Sequence, residues 1–194
     1  MLRSERRTEK VRAVLNNRQP DLTVVMENIH DPHNVSAVLR SCDAVGVMQV
    51  ELLYNLEKFP RIGKKSSSSA SKWLDVRKHK TVDDCYAVLR SEGFSIYATH
   101  LGTSAMSLYD IDLTAKVALV FGNEHRGVSD EAALKADGNV IIPMMGMIQS
   151  LNISVACAVS LYEAMRQRAA KGHYGTPKFS ESELRRLFDD WIER

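Results

Sequence analysis

Three stretches of the 194-residue chain bring polar and charged side chains to places where a sheet protein exposes its strand ends. The first, Glu27 to Gly46, reads ENIHDPHNVSAVLRSCDAVG. A strand runs out there and a helix follows, with His33, Ser36 and Arg40 on its outer face and Arg40 roughly opposite the Val35, Leu39 and Cys42 stripe. The C-terminal end of a strand is where α/β sheets take ligands, so Asn34 and Arg40 can face one cleft. The second stretch, FGNEHRGVSD from Phe121 to Asp130, is a tight polar loop with Gly122 and Gly127, which lets a ligand approach the backbone closely. It matches neither a dinucleotide fingerprint nor a phosphate-binding P-loop. Its Glu124 can orient a cation such as Arg40. The third, Ile141 to Val159, is a strand that stops at Pro143, a Met- and Gly-rich turn, and then Ser150 and Asn152 at the mouth of a helix. The chemistry open to such a set is electrostatic: an arginine steadied by a carboxylate beside loops whose backbone is accessible. Each group also has a plain structural reading. Asn34, Ser150 and Asn152 suit helix N-caps, Arg40 a solvated face, and Glu124 an ordinary loop carboxylate.

The elements that must position these groups alternate. TEKVRAVLNNRQP reads as a basic amphipathic helix closed by Gln19-Pro20. Strands are expected at 22–26, 47–53, 73–77, 94–100, 117–122 and 139–143. Helices are expected at 34–45, from Thr81 to Glu92 with Thr81 as cap, from Ser129 to Ala136 with Ser129 as cap, at 152–170, and from about Ser180 to Ile192. The stretch from Leu56 to Lys72, with GKKSSSSASK, reads as a mobile loop. This is an α/β fold on a largely parallel sheet with helices on both faces. The expected division is a basic helical extension at 1–20, a main domain at 21–172 and a C-terminal helical extension at 173–194. The helix after Asn152 is apolar nearly all round, which predicts burial against the body or a second copy of the chain.

Composition narrows the setting. Hydrophobic residues make up 44% of the chain, enough for one core, and no run nears the ~20 apolar residues of a membrane span. The N-terminus lacks the apolar run of a secretory signal. Cys42, Cys85 and Cys157 are dispersed, which argues against disulfides and zinc and favours a reducing, cytoplasmic setting. The net charge of +2 is uneven: residues 1–20 carry a local +4 and residues 57–80 a local +6, so the remainder is acidic. Such islands suit a polyanion partner or two solvated segments.

From RQPDLTVVMENIHDPHNVSAVLRSCDAVGV through FGNEHRGVS to IPMMGMIQSLNISVACAVSLYEAMRQR, the chain resembles the SpoU branch of the SPOUT superfamily. The resemblance spans nearly the whole chain and holds three motifs in order. It implies a C-terminal deep trefoil knot, S-adenosylmethionine as methyl donor, and a homodimer with the active site at the interface. It implies 2′-O-methylation of a tRNA ribose, guanosine-18 in the D-loop. Carried onto matching positions, the catalytic set is Arg40, Asn34, Glu124, Ser150 and Asn152. The cofactor would lie against Thr99, His100 and Leu101, against Gly122, Asn123, Glu124 and Gly127, and against Ile142, Pro143, Met144, Ser150 and Leu151. Arginine is a poor base, so Arg40 suits stabilising a developing alkoxide and gripping a phosphate, held in place by Asn34 and Glu124. Expected RNA contacts are Arg6, Arg7, Lys10, Arg12, Lys64, Lys65, Arg166, Arg168 and Lys171. No metal and no membrane enter this reading. Its rivals are a ribosomal RNA or tRNA wobble-ribose substrate, and an RNA-binding module without catalysis.

Overall fold

The structure, a computed structural model, describes residues 5–60, 70–102 and 104–194. In chain order the elements are α1 (Glu5–Asn16), β1 (Gln19–Glu27), α2 (Pro32–Ala44), β2 (Val47–Leu53), β3 (Asp75–His79), α3 (Val82–Ser91), β4 (Ser95–Thr99), β5 (Met106–Ser107), β6 (Val117–Phe121), α4 (Asp130–Lys135), β7 (Gly138–Ile141), α5 (Ile153–Ala170) and α6 (Glu181–Glu193). The strands form one sheet in the order β3-β2-β1-β6-β4-β7-β5. Every pairing is parallel, so all strands end along the same edge. Because both faces are covered, the central strand β6 reads as an unbroken apolar run, VALVF, with every residue buried. On one face α2 and α5 pack over Val24, Met26, Leu52 and Phe121. On the other, α3 and α4 cover Val25, Leu53, Ala98 and Val120.

Local chemistry sets the helix ends. Thr81, Ser129 and Asn152 each accept a backbone N–H at the start of α3, α4 and α5, as expected from the sequence. Ser180 and Glu183 form a reciprocal capping box at α6. Helix α2 is capped by Asp31, with Pro32 in its first turn, so Asn34 is not the cap.

Two readings are corrected here. Gln19-Pro20 opens β1 instead of closing the first helix, so the expected division at residue 20 falls inside a strand. A proline near the start of a strand is tolerated where its missing N–H is not needed by the ladder. Arg18, counted in the basic N-terminal island, is fully buried. It donates to Asp43 Oδ1 (2.5 Å) and the Val47 carbonyl (2.7 Å), and its guanidinium lies 5.0 Å from the Trp191 ring centroid. That contact belongs to a third cluster, Val11, Leu15, Met48, Leu187 and Trp191, in which the first and last helices pack on each other. Strand β5 was not anticipated; two residues, both at least partly exposed, carry no period. Residues 61–69, with Lys64, Lys65 and the serine run, lie outside the described residues.

Candidate active site

A cavity of about 580 Å³ opens at the ends of β4, β6 and β7. Its walls are Thr99, His100 and Leu101, the loop from Gly122 to Val128, and Ile142, Met144, Gln149, Ser150, Leu151 and Asn152. All the expected cofactor contacts except Pro143 line it. Leu108, Gln149, Ala156 and Ser160 line it too and were missed. The available signal was Ala156 and Ser160, two small residues one turn apart on one face of α5, which leave room on that side.

The loop from Gly122 to Gly127 is closed by an antiparallel bridge. Asn123 N donates to Gly127 O (3.0 Å), and Gly127 N donates to Asn123 O (2.8 Å). Two side chains tie this loop to the end of β1. Asn123 Nδ2 donates to the Asn28 carbonyl (2.8 Å). Glu124 accepts from His30 N (2.8 Å), Asp31 N (3.1 Å) and Asn34 Nδ2 (2.8 Å). Asn152 Nδ2 then reaches Asn34 Oδ1 at 3.4 Å while its own Oδ1 caps α5. So Asn152, Asn34 and Glu124, drawn from three distant segments, form one hydrogen-bonded row at the cavity rim. Asn152 is both a cap and a member of that row.

Partial burial pushes the Glu124 carboxyl up, but the Asn34 amide and the His30 and Asp31 N–H groups outweigh this and hold it below its ordinary value. A depressed carboxyl contributes stability above its unfolded value and loses it as pH falls through the lowered folded one. The loop clasp should therefore persist through the ordinary carboxylate range and fail only in stronger acid. In Glu124→Gln that acid step should vanish from a pH titration of loop chemical shifts; an unchanged step would refute the assignment.

Arg40 does not join the row. It is exposed on α2 and has no hydrogen bond or ion pair with a described residue. Six residues beyond Asn34, it stands about 9 Å along the helix and about 120° around it. Within this chain Asn34 and Glu124 do not hold Arg40: the carboxylate is spent on backbone N–H groups and Asn34. Ser36, expected on the outer face of this helix, is buried.

The expected RNA contacts divide. Arg6, Arg7, Lys10 and Arg12 are exposed along α1. Arg166 is exposed and paired with Glu163, and Lys171 is exposed and bonded to Thr114. Arg168 is different: at 0% exposure it donates to Leu113 O, Gln19 Oε1, Asp21 Oδ1 and Ala115 O. It is a structural bolt between α5 and β1 and cannot meet a phosphate. Arg168→Met should cost about 3 kcal/mol in urea unfolding, because Leu113 O, Ala115 O and Gln19 Oε1 lose their donor while Asp21 keeps Lys178, whereas Arg166→Ala should cost under about 1 kcal/mol. Equal losses would overturn this distinction. Among the described residues, no three His, Cys, Asp or Glu side chains cluster as a metal site.

A family model described as the SpoU rRNA methylase family matches residues 21–162. A Thermus thermophilus protein named tRNA (guanosine(18)-2′-O)-methyltransferase is 43% identical over 192 residues, 99% of this chain and 98% of that one. The crystal structure of an Aquifex aeolicus TrmH/SpoU tRNA modifying enzyme superposes with a TM-score of 0.90 at 39% identity, covering 97% of this chain and 96% of that one. The SpoU methyltransferase AviRb of Streptomyces viridochromogenes, solved in complex with the cofactor AdoMet, superposes with a TM-score of 0.70 at 28% identity, over 79% of this chain and 62% of that one.

Proposed function

The chain belongs to the SpoU rRNA methylase family, and from that premise we propose that it methylates the 2′-hydroxyl of a tRNA ribose, guanosine-18 in the D-loop, using S-adenosylmethionine. The observation that carries the substrate is identity of 43% along 99% of the chain to a relative bearing that name. The family description names ribosomal RNA, but the relative matched end to end is a tRNA enzyme.

The cavity suits the cofactor. Its volume is in the range of small-molecule sites, and Gly122 leaves the backbone bare where a Cβ would collide with Gly127. Thr99, His100, Leu101, Gly122, Asn123, Gly127, Ile142, Met144, Ser150 and Leu151 would hold it, with its adenine against backbone amides and carbonyls. The cofactor supplies a methyl group already activated by its sulfonium charge. The chain's own work is to place the ribose 2′-oxygen and to manage one proton there. Asn34 and Asn152, fixed through Glu124, orient the ribose, with Ser150 beside them. Arg40 stabilises negative charge on that oxygen and grips the adjoining phosphate.

Since Arg40 is unattached to its own Glu124, it serves the cavity of a second copy, in a homodimer whose active site spans the interface. Exposed Val155 and Tyr162 on α5, with Met145, Met147 and Ile148 before it, support an apolar interface there. A knotted C-terminal threading is part of the same reading.

The test is transfer of labelled methyl to a tRNA transcript, followed by mapping of the modified nucleotide. Label on the 2′-oxygen of guanosine-18 is expected. Label on a base, or in ribosomal RNA alone, would overturn the proposal.

A further inference from the structure

At the same edge of the sheet as the cavity, but on the far side of β1 and β2, lies a second, smaller assembly that the catalytic row does not use. Phe59, half-buried against the core, packs on the buried Tyr54 ring with centroids 5.4 Å apart. Its own ring carries two ammonium groups, Lys78 Nζ at 5.2 Å and Lys80 Nζ at 4.8 Å from the centroid. Both lysines are exposed, and neither has an ion pair or hydrogen bond with a described residue. Two like charges are thus held no further apart than their two ring distances allow, and no carboxylate among the described residues is paired with either. The ring face attracts each cation, and an anion set between them would relieve their mutual repulsion.

The strand register says where that anion would come from. Phe121 pairs with Met26, Met26 with Leu52, and Leu52 with Lys78, so Lys78 stands level with the last residue of β6, just before Gly122. Alternation puts Lys78 on the same sheet face as Phe121. Three strand spacings separate them, about 14 Å. A polyanion whose target sugar occupies the cavity rim can reach this point within a few backbone phosphates.

The geometry points to Lys78 and Lys80, spread over Phe59, as a phosphate-binding platform for the RNA strand that flanks the methylated ribose. This rests on the reading of the chain as an RNA ribose methyltransferase. The platform adds affinity and register, and takes no part in methyl transfer.

The test uses the full chain, a tRNA transcript and the paired variant Lys78→Gln with Lys80→Gln. The pair should weaken tRNA binding about tenfold at moderate salt. It should also reduce the slope of log affinity against log salt by about 1.5, the share of two phosphate contacts. Turnover at saturating tRNA and cofactor affinity should stay parental. The paired Lys78→Arg, Lys80→Arg variant should keep the parental salt slope. Parental affinity and slope in the glutamine pair would overturn the platform, even if that pair aggregates, because the lysines would then serve only to guard the edge strand β3. Equal weakening in the arginine pair would overturn it as well. If the unaltered chain methylates no tRNA, the proposed function fails before any variant is made; if it does and the glutamine pair binds normally, only the platform fails.

Discussion

Alanine at position 122 is expected to abolish cofactor binding. A Cβ there would stand 2.1 Å from the carbonyl carbon and oxygen of Gly127 and 2.1 Å from the Val128 nitrogen. All three are backbone atoms, so no side-chain rotation relieves the clash. Relief requires the Asn123–Gly127 bridge to open, and with it go the anchors from Asn123 to Asn28 and from Glu124 to His30 and Asp31. Calorimetry with S-adenosylmethionine should show at least about a hundredfold weaker binding, and unfolding should show an overpacking cost of about 1–3 kcal/mol. Gly127→Ala is the control. It has φ +70° but nothing within 4 Å of the added carbon, so it should lose about 1 kcal/mol and keep measurable binding. Parental affinity in Gly122→Ala would mean that the cofactor lies elsewhere.

Arg40→Ala should lower methyl transfer about 10²–10³-fold, the usual loss when a charge-stabilising donor is removed. Stability and cofactor affinity should be unchanged, because this side chain bonds to no described residue of its own chain. Mixing is more discriminating. If Arg40 serves the partner's cavity, Arg40→Ala and Glu124→Ala chains, each inactive alone, combine into hybrids with one intact site of two. Random exchange then restores roughly a quarter of parental activity. No recovery after verified subunit exchange would place Arg40 in its own chain's site.

How much of this was legible beforehand followed the range of the interactions. Thr81, Ser129 and Asn152 were readable as caps because a cap needs only the next three residues. Strand β2 was readable to its end residues because the largely apolar run VMQVELL follows directly on Gly46. Arg168 was not readable: it lies beside Arg166 on an ordinary basic helix end, and its partners Gln19, Asp21 and Leu113 come from other elements. Arg18 failed for the same reason. In the site, the members Asn34, Glu124 and Asn152 could be named by resemblance. That Glu124 binds backbone N–H groups and Asn34, and not Arg40, depends on how β1 and β6 lie side by side.

The pairing of the first helix with the last has a consequence in time. Val11, Leu15 and Met48 share a cluster with Leu187 and Trp191 of the last helix, and Leu184, Phe188 and Ile192 of that helix pack against it. On a ribosome adding ~5–20 residues per second, that cover arrives roughly ten to thirty seconds after the first helix. During that interval an apolar stripe on α1 stays open to water, long after the strands beside it can pair. Newly made chains should thus pass through a sticky, nearly complete state, and loss of Trp191 should show first as poor yield from cells rather than as weak catalysis.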